Sequence, residues 1–298
     1  MLMNVSSSSP VAASQASPEV TGFYHEKTGS IVYLVVDAAT GHAAIIDPVL
    51  DFDVRSGRTA TTAADAVLQT IAERRLTIDW ILDTHPHADH FSAAAYMKSK
   101  LGAPMAIGEK VIDIQKLWQT IYSVPPYSTD YWDRLWKDGD SFKIGSLDAR
   151  VMLCAGHTLA SVTYVVGDAA FIHDTLFQPD AGSARCDFPG GSAAVLYDSI
   201  QRILALPDDT RLFTGHDYRP NGRPAQWESN VAQQKRDNTH VGGGRDRDSY
   251  VNLREARDKT LPLPELMLAA LQVNLRGGRL PEPEDNGCNY LKIPLNVF

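Results

Sequence analysis

Cysteine is scarce in this sequence. The three present, Cys154, Cys186 and Cys288, are odd in number, far apart and without a CxxC pair. That argues against a disulfide framework and makes a reducing, cytoplasmic setting the expectation. No apolar run approaches the roughly 20 residues needed to cross a bilayer, so no membrane partner is expected. Basic charge is in deficit: the formal net charge is −8, and no positive field points to nucleic acid. Residues 1–18 hold no Lys or Arg and no long apolar centre. They do not read as a signal peptide. Residues 1–19 are expected to form a disordered tail rich in Ser and Ala. No repeat of fixed period runs through the chain.

What is present suits one large domain with extensions. The 298 residues are 44% apolar and 21% charged, enough to bury a substantial core. Ile31 to Val36 and Ala43 to Ile46 read as a β-hairpin, and residues 51–61 as a polar loop. A helix is expected over 62–75 from a capping-box-like start and an apolar face at Ala63, Val67, Leu68 and Ile71. Strands follow at 77–82, 105–107, 142–144, 148–154, 161–166, 169–172 and 211–214. Further helices are expected at 92–101, 192–206, 224–238 and 264–274, the last beginning at a proline. Residues 109–135, rich in aromatics and broken at Pro125-Pro126, read as a helix and a lid-like segment that packs on the core or walls the substrate. Residues 242–248 read as a loop. Helices alternating with frequent hairpins argue for mixed sheets covered by helices, an α/β (α+β) arrangement, and not a simple parallel sheet.

One stretch organises the chain: Thr84-His85-Pro86-His87-Ala88-Asp89-His90. Three imidazoles and a carboxylate within six residues are hard to explain as packing, because clustered buried polar groups carry large desolvation costs. Imidazole and carboxylate are ligands for zinc, iron or manganese. The pattern of a strand followed by a ligand-bearing loop then recurs at His157, Asp174 and His216. These loops hold five of the nine histidines. His157 and His216 each follow a glycine, which permits close backbone approach. Two His and one carboxylate on a face leave three coordination positions open, which suits non-haem Fe(II) and O2 chemistry. More ligands would hold two metals bridged by Asp174, suited to activating water. His25, His42 and His240 stand alone in turns or polar stretches and read as structural. Cys154 reads as a small buried residue.

The HxHxDH motif, the later Gly-His, the strand-end Asp and the final Gly-His resemble the metallo-β-lactamase superfamily over about residues 22–238. The resemblance implies an αββα sandwich of two mixed sheets flanked by helices, with the metal at their edge. It places the catalytic domain at about 20–240, with residues 241–298 as an extension packed on it that covers the site or builds a homodimer interface. Ile46-Asp47-Pro48-Val49-Leu50, Arg185-Cys186-Asp187-Phe188 and Gly215-His216-Asp217-Tyr218 resemble the persulfide dioxygenases most. That likeness implies one Fe(II) per chain on His85, His157 and Asp174. His87, Asp89, His90 and His216 would then support them through hydrogen bonds instead of filling a second site. The implied substrates are glutathione persulfide and O2, with any sulfurtransferase partner a separate chain. Arg185 and Tyr218 are candidates for substrate contact. Arg185 could instead pair with Asp187, and Lys235 and Arg236 read as a solvated helix face. A zinc hydrolase of glyoxalase II type, with one or two metals and a glutathione thioester as substrate, is the alternative, since all seven ligands for two metals are present. One departure stands out: His173 precedes the strand-end Asp, where Gly is usual, and strand alternation would turn it to the side opposite Asp174.

Overall fold

The run Ile31–Val36 offers only β-branched, aromatic and leucine side chains, which fit a pleated surface better than a helix. In the computed structural model, which describes residues 17–128 and 130–298, it is the centre of β2 (Ser30–Asp37), buried at every position. Of the expected N-terminal tail, residues 1–16 lie outside the described residues. β1 (Glu19–His25) and β3 (His42–Ile46) flank β2 antiparallel. β4 (Val49–Asp53) and β5 (Arg58–Ala60) then form a small hairpin where the sequence suggested only a loop. β5 is fully exposed, so no apolar alternation marked it.

α1 (Thr62–Arg74) leads into β6 (Thr77–Leu82), and the metal-like motif follows at once. The expected capping box does not form. Asp51, from β4, accepts the Ala63 N–H at 2.9 Å instead. β7 (Phe91–Ser92), α2 (Ala94–Leu101), β8 (Met105–Gly108), α3 (Val111–Tyr122) and β9 (Arg134–Trp136) complete the first half. Trp118 and Tyr122 on α3 are buried in the core, so the 109–135 segment packs as an insertion rather than hanging as a lid. The second half contains β10 (Ser141–Ile144), β11 (Leu147–Leu153), β12 (Val162–Val166), β13 (Ala169–His173), α4 (Ala193–Leu204) and β14 (Arg211–Thr214). β15 (Glu228–Asn230), α5 (Val231–Asp237), α6 (Arg247–Asp258) and α7 (Met267–Asn274) follow. Two expectations change here. The helix expected over 224–238 is confined to α5, and α6 begins inside the expected loop.

Two six-stranded mixed sheets result, ordered β1-β2-β3-β6-β8-β9 and β10-β11-β12-β13-β14-β15. Between them lies a core that includes Tyr33, Ile46, Leu82, Tyr164, Phe171 and Phe213. α1, α2, α3 and α7 cover the outer face of the first sheet, and α4, α5 and α6 that of the second. This is the expected αββα sandwich. The strand ends Ile46, Leu82, Leu153, His173 and Thr214 deliver every metal-like loop to the edge between the sheets.

Asp37 ties the sheets together away from that edge. Its carboxylate accepts the Ala39 N–H (3.0 Å) and Thr40 hydroxyl (2.7 Å) in its own turn. It also accepts both the N–H and hydroxyl of Ser146 (2.7 Å each) from the β10–β11 turn. The Ser146 donors, more than the others, hold its pKa below the ordinary carboxylate value despite its burial. Because the folded pKa lies below the unfolded value of about 3.9, the stabilisation is complete above that value. It is lost as pH falls through the folded pKa. Asp37→Asn should therefore cost about 1.5–3 kcal/mol at pH 7, with the gap to wild type narrowing at pH 3. Urea unfolding at the two pH values reads this directly.

Candidate metal centre

Three ligand atoms converge at the sheet edge. His85 Nε2 lies 4.0 Å and His157 Nε2 3.7 Å from Asp174 Oδ2. Ligands about 2.1 Å from one metal stand roughly 3.0–3.4 Å apart, so a small contraction would close this set. His85 Nε2 is buried without a hydrogen-bond partner, the condition of an atom awaiting a metal. The other ring nitrogen of each imidazole is held. His85 Nδ1 is 3.0 Å from the Thr84 hydroxyl, which itself donates to Asp47 (2.8 Å). His157 Nδ1 lies 2.7 Å from the Arg185 carbonyl and donates to it. Both imidazoles therefore present Nε2 lone pairs to the same point.

Charge states agree with that geometry. Burial, reinforced by His87 and His157, pushes the His85 pKa well below its ordinary value. Burial also lowers His157. Burial opposes ionisation of Asp174, but the neighbouring His216 and His173 imidazoles outweigh it and hold the carboxyl well below its ordinary range. Two neutral imidazoles and a carboxylate are the forms that bind a divalent metal.

The remaining motif residues surround this set. His216 sits between two carboxylates, with Nδ1 2.8 Å from Asp174 Oδ1 and Nε2 2.6 Å from Asp89 Oδ2. Burial resists its charge, yet Asp174 and Asp89 prevail and raise its pKa well above the usual value. His90 Nδ1 donates to Asp89 (2.8 Å), while His90 Nε2 is buried without a partner. His87 turns its Nε2 to Asp47 Oδ1 (2.9 Å) and leaves Nδ1 unpartnered. Asp89, Asp174 and His216 also form a compact group able to hold an ion.

His173 departs from the sequence expectation. It does not cross to the far side of its strand. Its φ is 37° and the β13–β14 register shifts just before it, so strand alternation ends there. Its ring lies among the site imidazoles, with centroids 4.7 Å from His87 and 5.3 Å from His85. Its Nε2 is 2.9 Å from Asp47 and its Nδ1 3.3 Å from Asp174. A Cβ on Gly215 would stand 2.2 Å from this ring, so the glycine before His216 makes room for His173.

Sequence reading missed three supporting residues. Asp47 stood in the sequence only as part of the Ile46-to-Leu50 resemblance, with no role of its own, yet it is buried and faces Thr84, His87 and His173. Asn274, the last residue of α7, donates to the His87 and His90 carbonyls (2.8 Å each) and accepts the Ser92 N–H (2.7 Å). Arg254 on α6 is 1% exposed, donates to the Ser183 carbonyl at 2.9 Å and pairs with Asp258. Asp258 in turn accepts the Cys186 N–H at 3.0 Å, so α6 braces the 183–188 loop. Burial and Asp258 push the Cys186 thiol up to about 12, which keeps it protonated.

A cleft of about 540 Å³ opens from His157, Asp174 and His216 toward residues 261–265. The C-terminal segment thus forms one of its walls. Tyr218 stands in it, 63% exposed and stacked on the His216 ring, and its hydroxyl has no partner among the described residues. Arg185 also lines it, but its guanidinium grips Asp187 with two bonds (2.7 and 2.8 Å) and the Pro262 carbonyl with a third (2.6 Å). The structure therefore shows the Asp187 pairing rather than a guanidinium turned to the cleft. Arg257 lines the cleft too, is exposed, and its guanidinium has no carboxylate partner among the described residues. Lys235 and Arg236 pair with Asp208 and Asp237 on the surface, as expected of a solvated face.

A model of the metallo-beta-lactamase superfamily matches residues 27–216. The chain belongs to this superfamily. It is 61% identical over 284 residues to a beta-lactamase hydrolase-like protein of Xylella fastidiosa, covering 95% of this chain and 66% of that one. The chain thus spans just under two thirds of that relative's length. It is 41% identical to glyoxylase B2 of Dictyostelium discoideum, over 96% of this chain and 99% of the relative. Among solved structures, ETHE1 from Myxococcus xanthus superposes with a TM-score of 0.71 at 30% identity, covering 88% of this chain and all of that one. No helix among the described residues is long and apolar enough to cross a membrane.

Metal should bind this metallo-beta-lactamase site and stabilise the fold. Free metal at a hundred times its dissociation constant should add about 2.7 kcal/mol, read as a rise in Tm that a chelator reverses. His85→Ala and Asp174→Ala should lose that rise.

Proposed function

We propose that the chain is an iron-dependent persulfide dioxygenase, oxidising glutathione persulfide with O2 and water to sulfite and glutathione. The observation that carries this reading is the state of His216. Both of its ring nitrogens are engaged by carboxylates, whereas His85 Nε2 stands bare beside His157 and Asp174. Such an arrangement favours one metal on His85, His157 and Asp174 over two. Two His and one carboxylate on one face suit Fe(II) with open positions, and iron held there would supply the redox step with O2.

The chain's own residues bind and orient the substrate. Tyr218 offers a phenol donor to the reacting sulfur from above His216. Arg257 offers a free guanidinium to a carboxylate at the distal end of the substrate. Phe188, edge-on to His157 at 5.4 Å, shields the ligand side from water. Asp187 and Pro262 fix Arg185, and with it the carbonyl that orients His157.

A dinuclear hydrolase of glyoxalase II type is the second reading. The clustering of Asp89, Asp174 and His216, with the bare Nε2 of His90 beside them, favours it. Metal stoichiometry separates the two. Protein loaded anaerobically should carry one iron per chain and consume O2 with glutathione persulfide. Two metals per chain with thioester cleavage and no O2 uptake would replace the first reading by the second. His216→Gln should keep its single iron if the first holds. Arg257→Ala should raise KM for the persulfide about tenfold or more, the loss of one charge-assisted hydrogen bond, with kcat little changed.

A further inference from the structure

His25, Thr28 and Ser30 are left over once the metal set is assigned, and they form an unbroken row. The turn between β1 and β2 folds them together: the Thr28 and Gly29 N–H groups both return to the His25 carbonyl (3.3 and 2.8 Å). At its inner end Ser30 is 1% exposed. The Ser30 hydroxyl lies 3.0 Å from His216 Nε2 and 2.9 Å from Asp89 Oδ2. It lies 2.7 Å from the Thr28 hydroxyl, which is 2.8 Å from His25 Nδ1. His25 Nε2 then meets Asp51 Oδ1 at 3.2 Å.

The row leads out of the substrate cleft. A second cleft, of about 310 Å³, is lined by His25, Lys27, Thr28 and His90. Thr28 and Glu265 line both clefts, so the row passes through the partition between them. At rest the Ser30 O–H and the His216 Nε2–H both donate to Asp89 Oδ2 (2.9 and 2.6 Å). Rotation of the Ser30 hydroxyl toward Thr28 sets the outward direction, with Thr28 O–H then donating to His25 Nδ1 and His25 Nε2–H to Asp51. Burial lowers the His25 pKa, with Asp51 opposing and His90 and Lys27 assisting, so its Nδ1 is free to accept at neutral pH.

We propose that Ser30, Thr28 and His25 form a proton path from the metal site to the second cleft, used while substrate fills the first. The need for it rests on the dioxygenase reading. RSSH + O2 + H2O gives RSH + SO3²⁻ + 2 H⁺: the terminal sulfur loses four electrons, O2 gains them, and two protons must leave. A proton passed to Ser30 displaces the Ser30 proton to Thr28, and the Thr28 proton moves to His25 Nδ1. His25 Nε2–H then passes to solvent by way of Asp51. All three are positioning residues, since none touches the ligand atoms.

The test uses iron-loaded full-length protein, with iron content measured for each variant and O2 uptake as the readout. Thr28→Val keeps the shape and removes the hydroxyl. It should lower kcat about tenfold or more without raising KM, while Thr28→Ser should stay near wild type. His25→Ala should show the same loss and recover with added imidazole. Thr28→Val at wild-type kcat, or a His25→Ala enzyme indifferent to imidazole, overturns the path. O2 uptake by the wild type decides the parent reading separately. If the wild type cleaves thioesters instead, the same variants are read on that hydrolysis, which also frees a proton.

Discussion

The site depends on one buried carboxylate. Asp47 is 1% exposed, with a φ of 51°, at the end of β3 where the sheets meet. A charge so placed is costly unless donors surround it, and the neighbouring chain is arranged to supply them. The Thr84 N–H and hydroxyl, the His87 imidazole and the close approach of His173 all answer it. Burial opposes its ionisation, but His173 and His87 hold its pKa well below the usual value. Through Thr84 it also fixes the ring of His85. The orientation of a metal ligand is thus set two bonds away, by a residue that itself faces no open position.

The second constraint comes from far along the chain. α6 and α7 do more than thicken the outer layers. α6 buries an Arg–Asp pair beneath the 183–188 loop, and that loop offers its Arg185 carbonyl to His157. α7 reaches the other ligand loop through Asn274. The two loops that carry imidazoles to the metal position are therefore each tied to a different C-terminal helix.

The strands, the mixed sheets under helices and the ligand loops were legible because they depend on local signals, whereas the αββα layering came from the superfamily resemblance. Apolar β-branched runs name the strands, and imidazoles clustered at strand ends have few uses other than a metal. α6 was illegible for a physical reason. Its inward face is Tyr250, Arg254 and Asp258, spaced four apart, so a helical period is present but polar residues carry it. His173 misled because strand alternation holds only while φ stays extended, and one left-handed residue cancels it. The role of Asp47 stayed hidden because its partners lie about 40 and 126 positions away, out of reach of any local pattern. His25 looked solitary for the same reason: its link to Asp89 and His216 runs through two hydroxyls, Thr28 and Ser30, that carry no chemical signature of their own.

The Asn274 clamp also sets an order of events in time. It closes a span of 187 residues back to His87, so this hold on the motif loop, unlike that of Asp47, forms only once synthesis has passed α7. A nascent chain carries all three histidines of the motif long before it owns the amide that holds the backbone of His87 and His90. The last backbone restraint on this loop is therefore a late event in folding.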